Sequence, residues 1–364
     1  MLVLLRSACA AAATASLLLI SALPDTSSTH RAVKRIVGGA DAVGDQKLPF
    51  VAYVINSLNH ASGGAQCSGS VISDRWIVTS GHCVYNRDEW GRVIYHSPAP
   101  PSQVSVIVGN PEAGKGERYE ASQVILHPHI YTSSLGANVY ANIALLETKH
   151  AMYLGGSMQR IRIADGAASP LPQNTSVLTA GWGGDGTAPS GLLQVVNQVT
   201  ADQEDCSNRR TGKGVLEDTR GWDILCTSQI KGHTTCRGDG GSPLFIRTEN
   251  IPLAKDTSAR SIEARVCRGK RQLSVDSEYT LLGVLSSKSS HSSDSIRCFS
   301  EDGYDIYTSL PYFLDWILNT TNIARKDLVR TDGVVETSAA GSGHKGLTAI
   351  LLKVLAAVLI LLWI

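Results

Sequence analysis

The apolar positions of this chain fall into three regimes. The first, Met1 to Ala22, opens with Arg6 near the start, runs apolar from Ala8 to Ile20 and ends in small residues near Ala22. That is the layout of a secretory signal removed after residue 22. The last, Leu347 to Ile364, is a second apolar run at the end of the sequence. Between them the apolar stretches are short. Val71-Ile72, Val104-Ser105-Val106-Ile107-Val108 and Leu281 to Leu285 alternate with Gly, Pro and Ser turns, as strands do. No helical period of useful length precedes Tyr312 to Leu318. The middle part, about 290 residues, suffices for one large all-β domain with a full core. The pattern fits two packed antiparallel barrels and a short C-terminal helix.

The terminal run is preceded by the small residues Ser338-Ala339-Ala340-Gly341-Ser342-Gly343 and the polar His344-Lys345. A small site, a brief polar spacer and an apolar tail are the parts of a lipid (GPI) anchor signal. A single spanning helix is the competing reading, against which stands Lys353, costly in hydrocarbon. Either reading ties the chain to the cell membrane and places the folded part outside the cell. The expected organisation is a signal at 1–22, a propeptide at 23–35, a folded domain at 36–323, a linker at 324–346 and the anchor signal at 347–364. A net charge of +1 makes no global case for nucleic acid. Asn174-Thr175-Ser176 and Asn319-Thr320-Thr321 match the glycosylation triplet, in keeping with a secreted chain.

Several segments carry a more specific signal. They are Ile36-Val37-Gly38-Gly39 after the basic pair Lys34-Arg35, Trp76-Ile77-Val78-Thr79-Ser80-Gly81-His82-Cys83, and Asn142-Ile143-Ala144-Leu145-Leu146. To these are added Gly181-Trp182-Gly183, Cys236-Arg237-Gly238-Asp239-Gly240-Gly241-Ser242-Pro243, Tyr307-Thr308 and Leu314-Asp315-Trp316-Ile317. In this order the chain resembles the trypsin-like (chymotrypsin-family, peptidase S1) serine proteases from residue 36 to about residue 320. The resemblance implies an all-β fold of two packed six-stranded antiparallel barrels with a short C-terminal helix.

It also implies a site, and the site departs from the family pattern. His82 takes the place of the catalytic base. Asn142 stands where the family has the aspartate that orients that base, and Gly240 where it has the nucleophilic serine. Ser242 lies two residues further on, the one alternative nucleophile in the segment. Gly238 and Gly240 would supply the oxyanion-hole amides. Asp239 is the residue expected to pair with the new amino group of Ile36 once a processing protease cuts Arg35–Ile36. The substrate pocket would be lined by Thr234, Ser286, Lys288 and Asp305. Thr234 replaces the aspartate of trypsin-type pockets, and Ser286-Ser287-Lys288 replaces Ser-Trp-Gly, so Lys288 is expected to crowd the pocket mouth. Asp305 falls where a glycine is usual. It either offers a carboxylate from the opposite wall or lies on the surface.

Eight cysteines are present, of which Cys9 leaves with the signal. The family pattern implies the pairs Cys67–Cys83, Cys206–Cys226 and Cys236–Cys298. Cys267 is left over within an insertion at about Arg247 to Tyr279, and is open to a free thiol, a buried thiol or a disulfide-linked partner. No His, Asp or Glu spacing forms a metal-ligand set, and no cofactor is implied. Chemically, Gly240 has no oxygen to attack a carbonyl and Asn142 has no charge to stabilise an imidazolium. The expected function is a secreted, surface-anchored protease homologue without turnover that works by binding a protein or peptide ligand. The alternative is an endopeptidase using Ser242. The insertions Asn86 to Ser102 and Arg247 to Tyr279 are natural binding loops.

Overall fold

A computed structural model of the chain describes residues 39–43, 48–58, 67–132, 139–166, 171–184, 191–211, 222–230, 233–250, 275–289, 298 and 303–330. The expected signal, propeptide, Cys267 and terminal anchor lie outside the described residues. No helix among the described residues is long and apolar enough to cross a membrane.

Six strands make the first barrel: β1 Val51–Asn56, β2 Cys67–Val71, β3 Trp76–Thr79, β4 Val104–Val108, β5 Glu117–Leu126 and β6 Ala144–Thr148. They close in the order β6-β3-β2-β1-β4-β5, antiparallel throughout. Both faces of these strands are mostly buried, except in β5, where Glu117, Arg118, Glu120 and Gln123 are exposed, and the two-residue period sorts their side chains. Ala52, Val54, Ile77, Val104, Val106, Val108, Ala144 and Leu146 fill the barrel. The alternate residues Val51, Tyr53, Val78, Ile107 and Leu145 face outward and share a core with the second half.

That half is built from β7 Ser176–Gly181, β8 Gln194–Val199, β9 Ile224–Ser228, β10 Pro243–Arg247, β11 Asp276–Ser289 and β12 Tyr304–Ser309. Their order is β8-β7-β10-β11-β12-β9, all antiparallel. The ends meet through an isolated bridge between Thr200 and Thr227 and a 2.9 Å bond from the N–H of Ala201 to the carbonyl of Cys226. The short strand Arg160–Ala164 runs parallel beside β11, pinned by Arg160 and Arg162 to Asp276 at 2.5 and 2.7 Å.

Two elements differ from the sequence reading. A helix at Gln203–Thr211 precedes the C-terminal one. Its sequence is polar on every side, so no apolar stripe announces it. It begins where Asp202 Oδ1 accepts the N–H of Asp205, and Cys206 bridges to Cys226 in β9. The fold also continues past the boundary expected at 323. After the C-terminal helix Leu314–Thr321 comes a short helix Arg325–Leu328, and Val329–Arg330 then pairs with Arg160–Ala164. Leu328 and Val329 are fully buried, so this segment belongs to the core. The Asn86 to Ser102 insertion forms a hairpin of Tyr85–Arg87 with Val93–Pro98, exposing Trp90, Ile94 and Tyr95.

Candidate active site

His82 leaves the end of β3 on a single 3-10 turn, Gly81–Val84, and the Cys67–Cys83 disulfide ties that turn to β2. Gly81 packs closely there, and a Cβ at that position would displace the Ile130 Cδ1 methyl. Asn142 lies just ahead of β6, after Ala141 in the left-handed region (φ 45°), and is almost fully buried. The chain thus brings His82 and Asn142 together from two neighbouring strands of the first barrel.

The Asn142 side chain is held by four partners. Its Oδ1 accepts the backbone N–H of His82 at 3.0 Å. Its Nδ2 lies 2.9 Å from His82 Nδ1, 2.9 Å from Ser286 Oγ and 3.3 Å from the Ser286 carbonyl. A backbone N–H can only donate and a carbonyl can only accept, so the amide has one satisfactory orientation. Its N–H therefore points at His82 Nδ1. That ring nitrogen must be the acceptor, and the imidazole proton sits on Nε2. Base catalysis at the nucleophile position needs the opposite tautomer, with the lone pair on Nε2. Burial lowers the His82 pKa below its ordinary value, and the hydrogen bond with Asn142 opposes that shift.

Gly240 faces this Nε2. A Cβ on Gly240 would stand 2.5 Å from His82 Nε2 and 3.1 Å from Cys67 Sγ. A side chain at position 240 would therefore require the ring to shift. Ser242, two residues on, is fully buried, and its hydroxyl has no hydrogen-bond partner. Its Oγ lies against Gly181, where a Cβ on that glycine would meet it together with Asp239 Oδ1. The backbone of the loop is anchored through Leu285: Gly241 donates to its carbonyl at 2.9 Å, Ser80 Oγ donates to the same carbonyl at 2.6 Å, and its N–H donates to Ser242.

Asp239 is fully buried and accepts the N–H groups of Gly183 and Cys236, each at 2.8 Å. Burial nevertheless raises its pKa to about 7, with those two bonds and the charge of Lys288 pulling the other way. Gly238 takes a positive φ of 89° beside it and is exposed, while Gly240 is half-buried. Arg35 and Ile36, the expected cleavage site, lie outside the described residues.

The four pocket residues come together, in an arrangement unlike the expected one. Asp305 is neither on the surface nor open to the cleft: it is fully buried in β12. Gln198 Nε2, Gln229 Nε2 and the N–H of Thr235 donate to it at 2.7, 3.0 and 3.0 Å, and Thr234 Oγ1 lies 3.2 Å from both its oxygens. Lys288 does not crowd a mouth. It reaches inward and places Nζ 3.0 Å from Asp305 Oδ1. Ser286 turns instead to Asn142. Gln198 and Gln229 were not singled out from the sequence, where nothing links them to a residue in β12.

Cys236 bridges Cys298, behind Thr234 and Thr235. Among the described residues one group has metal-ligand proximity, Cys67, His82 and Cys83. Its two sulfurs are joined as a disulfide and offer no thiolate. Asn174 and Asn319 are both exposed.

The model of the trypsin family matches residues 36–317. Among characterised proteins, serine protease SP24D of Anopheles gambiae is 25% identical over 222 residues, 60% of this chain and 70% of that protein. Phenoloxidase-activating factor 3 of Holotrichia diomphalia is 26% identical over 256 residues, 63% of this chain and 65% of its own length. The chain thus spans just under two thirds of the second relative.

Proposed function

The chain belongs to the trypsin family, and we propose that within it this protein is a secreted, surface-held homologue that binds a protein or peptide ligand without hydrolysing it. The observation that carries the reading is Gly240 against His82. No side-chain oxygen stands at the nucleophile position, and the histidine ring has closed up against the glycine that takes its place. The tautomer imposed by Asn142 supports it, because a nucleophile placed there would find an N–H and not a base. Hydrolysis through Ser242 would need its Oγ to reach His82, yet that oxygen is buried against Gly181.

Binding is supported by the kept arrangement of His82, Asn142 and Gly240, and by the exposed hairpin with Trp90, Ile94 and Tyr95, whose first strand directly follows the His82 turn. The three disulfides among the described residues suit an oxidising compartment, and the apolar stretches at 1–22 and 347–364 suit export and attachment.

The test is a peptide-library assay on the full chain, before and after cleavage at Arg35–Ile36, with the Asn142→Asp plus Gly240→Ser double variant beside it. No turnover by the natural chain and gained turnover by the double variant is the expected result. Cleavage by the natural chain that Ser242→Ala abolishes would overturn the reading.

A further inference from the structure

Lys288 carries the only charge opposite Asp305 among the described residues within its hydrogen-bonded shell, and its surroundings are those of a bound cation. The two residues are cross-strand neighbours, Lys288 in β11 opposite Asp305 in β12. The ammonium lies 2.8 Å from Thr234 Oγ1 and 2.7 Å from the Cys298 carbonyl, 3.0 Å from Asp305 Oδ1 and in short contact with the Thr235 carbonyl. Two carbonyls, a hydroxyl and a carboxylate thus converge on one nitrogen. Asp305 has no exposure, whereas the Lys288 side chain keeps 25% of its surface. The chamber is closed at its acidic end and open at the end where the lysine enters.

The lysine comes from the strand that also carries the groups bonding the His82 site. Ser286, two residues earlier, bonds Asn142, and Leu285 before it anchors the Gly240 loop. A group lying against that strand with a basic side chain would direct it toward the same acceptors.

We propose that this chamber is a cation-binding pocket occupied by the chain's own Lys288, which acts as a displaceable plug and excludes the arginine or lysine side chain of a docking polypeptide. The pocket chemistry suits an amidinium, guanidinium or ammonium: a counter-charge stabilises a buried carboxylate, and the other acceptors complete the cation's shell. A ligand competing with Lys288 binds with an affinity reduced by the small fraction of molecules in which the lysine is out. Partners of the cleft would therefore be chosen by contacts other than a basic anchor. The inference concerns binding alone and stands or falls apart from the question of hydrolysis.

Benzamidine, an amidinium without a peptide, is the probe. Thermal melts of the full chain, with and without saturating benzamidine, would be compared for the natural protein, Lys288→Gly, and Lys288→Gly with Asp305→Asn. The expected result is a clear rise in Tm for Lys288→Gly only, with apparent binding to the natural chain weaker by more than about ten-fold. Should Lys288→Gly fail to melt cooperatively by itself, benzamidine is expected to restore its transition, because it returns a cation to Asp305. Three results would overturn the proposal: an equal rise in the natural chain, no rise or rescue in Lys288→Gly, or a rise that survives Asp305→Asn.

Discussion

Asn142 and His82 are joined twice, by the amide oxygen accepting the histidine's backbone N–H at 3.0 Å and by the amide nitrogen lying 2.9 Å from Nδ1. The two bonds share one planar group, so the first sets the second. A neutral side chain in the place of a carboxylate thereby keeps the imidazole in the position of a base while giving its basic nitrogen the proton.

Nitrogen-15 NMR should accordingly find His82 neutral at pH 7, with its proton on Nε2. Its lowered pKa means the unfolded chain takes up this proton first as pH falls. The associated stability is full above about pH 6.5 and declines below it, toward the folded-state value. Asn142→Asp should move the proton to Nδ1 and raise the pKa. In the family's own template, the aspartate-to-asparagine exchange costs turnover about ten-thousand-fold. With Gly240→Ser in place, reverting Asn142→Asp should recover a comparable factor.

Ser242→Ala should leave stability unchanged or raise it by about 1 kcal/mol, because it removes a buried hydroxyl without a partner. Denaturant unfolding measures this. A loss of more than that would mean the hydroxyl has a bonding role that its position against Gly181 does not provide.

Asp239 holds its proton in the folded chain up to about pH 7, through burial. A raised carboxyl pKa contributes stability that is full below the unfolded value near about 4 and is lost as pH rises through about 7. Melts across that range should show a fall that Asp239→Asn flattens. After cleavage at Arg35–Ile36, an Ile36 ammonium at Asp239 would lower its pKa and shrink the fall. An identical pH profile before and after cleavage would argue against that pairing.

Asp305→Ala should destabilise the domain by about 3–5 kcal/mol, the usual cost of removing one partner from a buried ion pair. It leaves Lys288 facing Thr234 and two carbonyls, and strips Gln198 and Gln229 of their acceptor. Lys288→Gly should cost less, since water can follow the side chain's exposed path to Asp305. Urea unfolding of both variants would check the order, and a reversal would mean the chamber is closed to solvent.

Much of the fold was legible because its signals are local. Val104, Val106 and Val108 alternate with Ser105 and Ile107, and that period sorts one set into the barrel and Ile107 into the shared core. The segments around His82, Asn142 and Gly240 are short, and the identity of one residue in each announced both the site and its missing groups. The Gln203–Thr211 helix was not legible, because a disulfide and an aspartate cap hold it where an apolar stripe normally would. Nor was the segment after 323, whose Leu328 and Val329 are an apolar pair too short to show a period.

What the sequence determined by itself, then, is the family, the all-β architecture and the absence of a serine oxygen and an aspartate charge. These follow from residue identity and near-neighbour spacing. The tertiary structure decided which way Asn142 points and where Lys288 goes. Asn142 is oriented by a backbone N–H at His82 and a carbonyl at Ser286, groups far apart in the chain and identical in chemistry at every residue. The place of Lys288 depends on a register shift between Leu285 and Ser287, which leaves Ser286 free to meet Asn142 and sets Lys288 opposite Asp305. A slip of one residue would send both side chains to the other face of the sheet. Register is settled by the packing of whole strands, and only the folded chain contains that information.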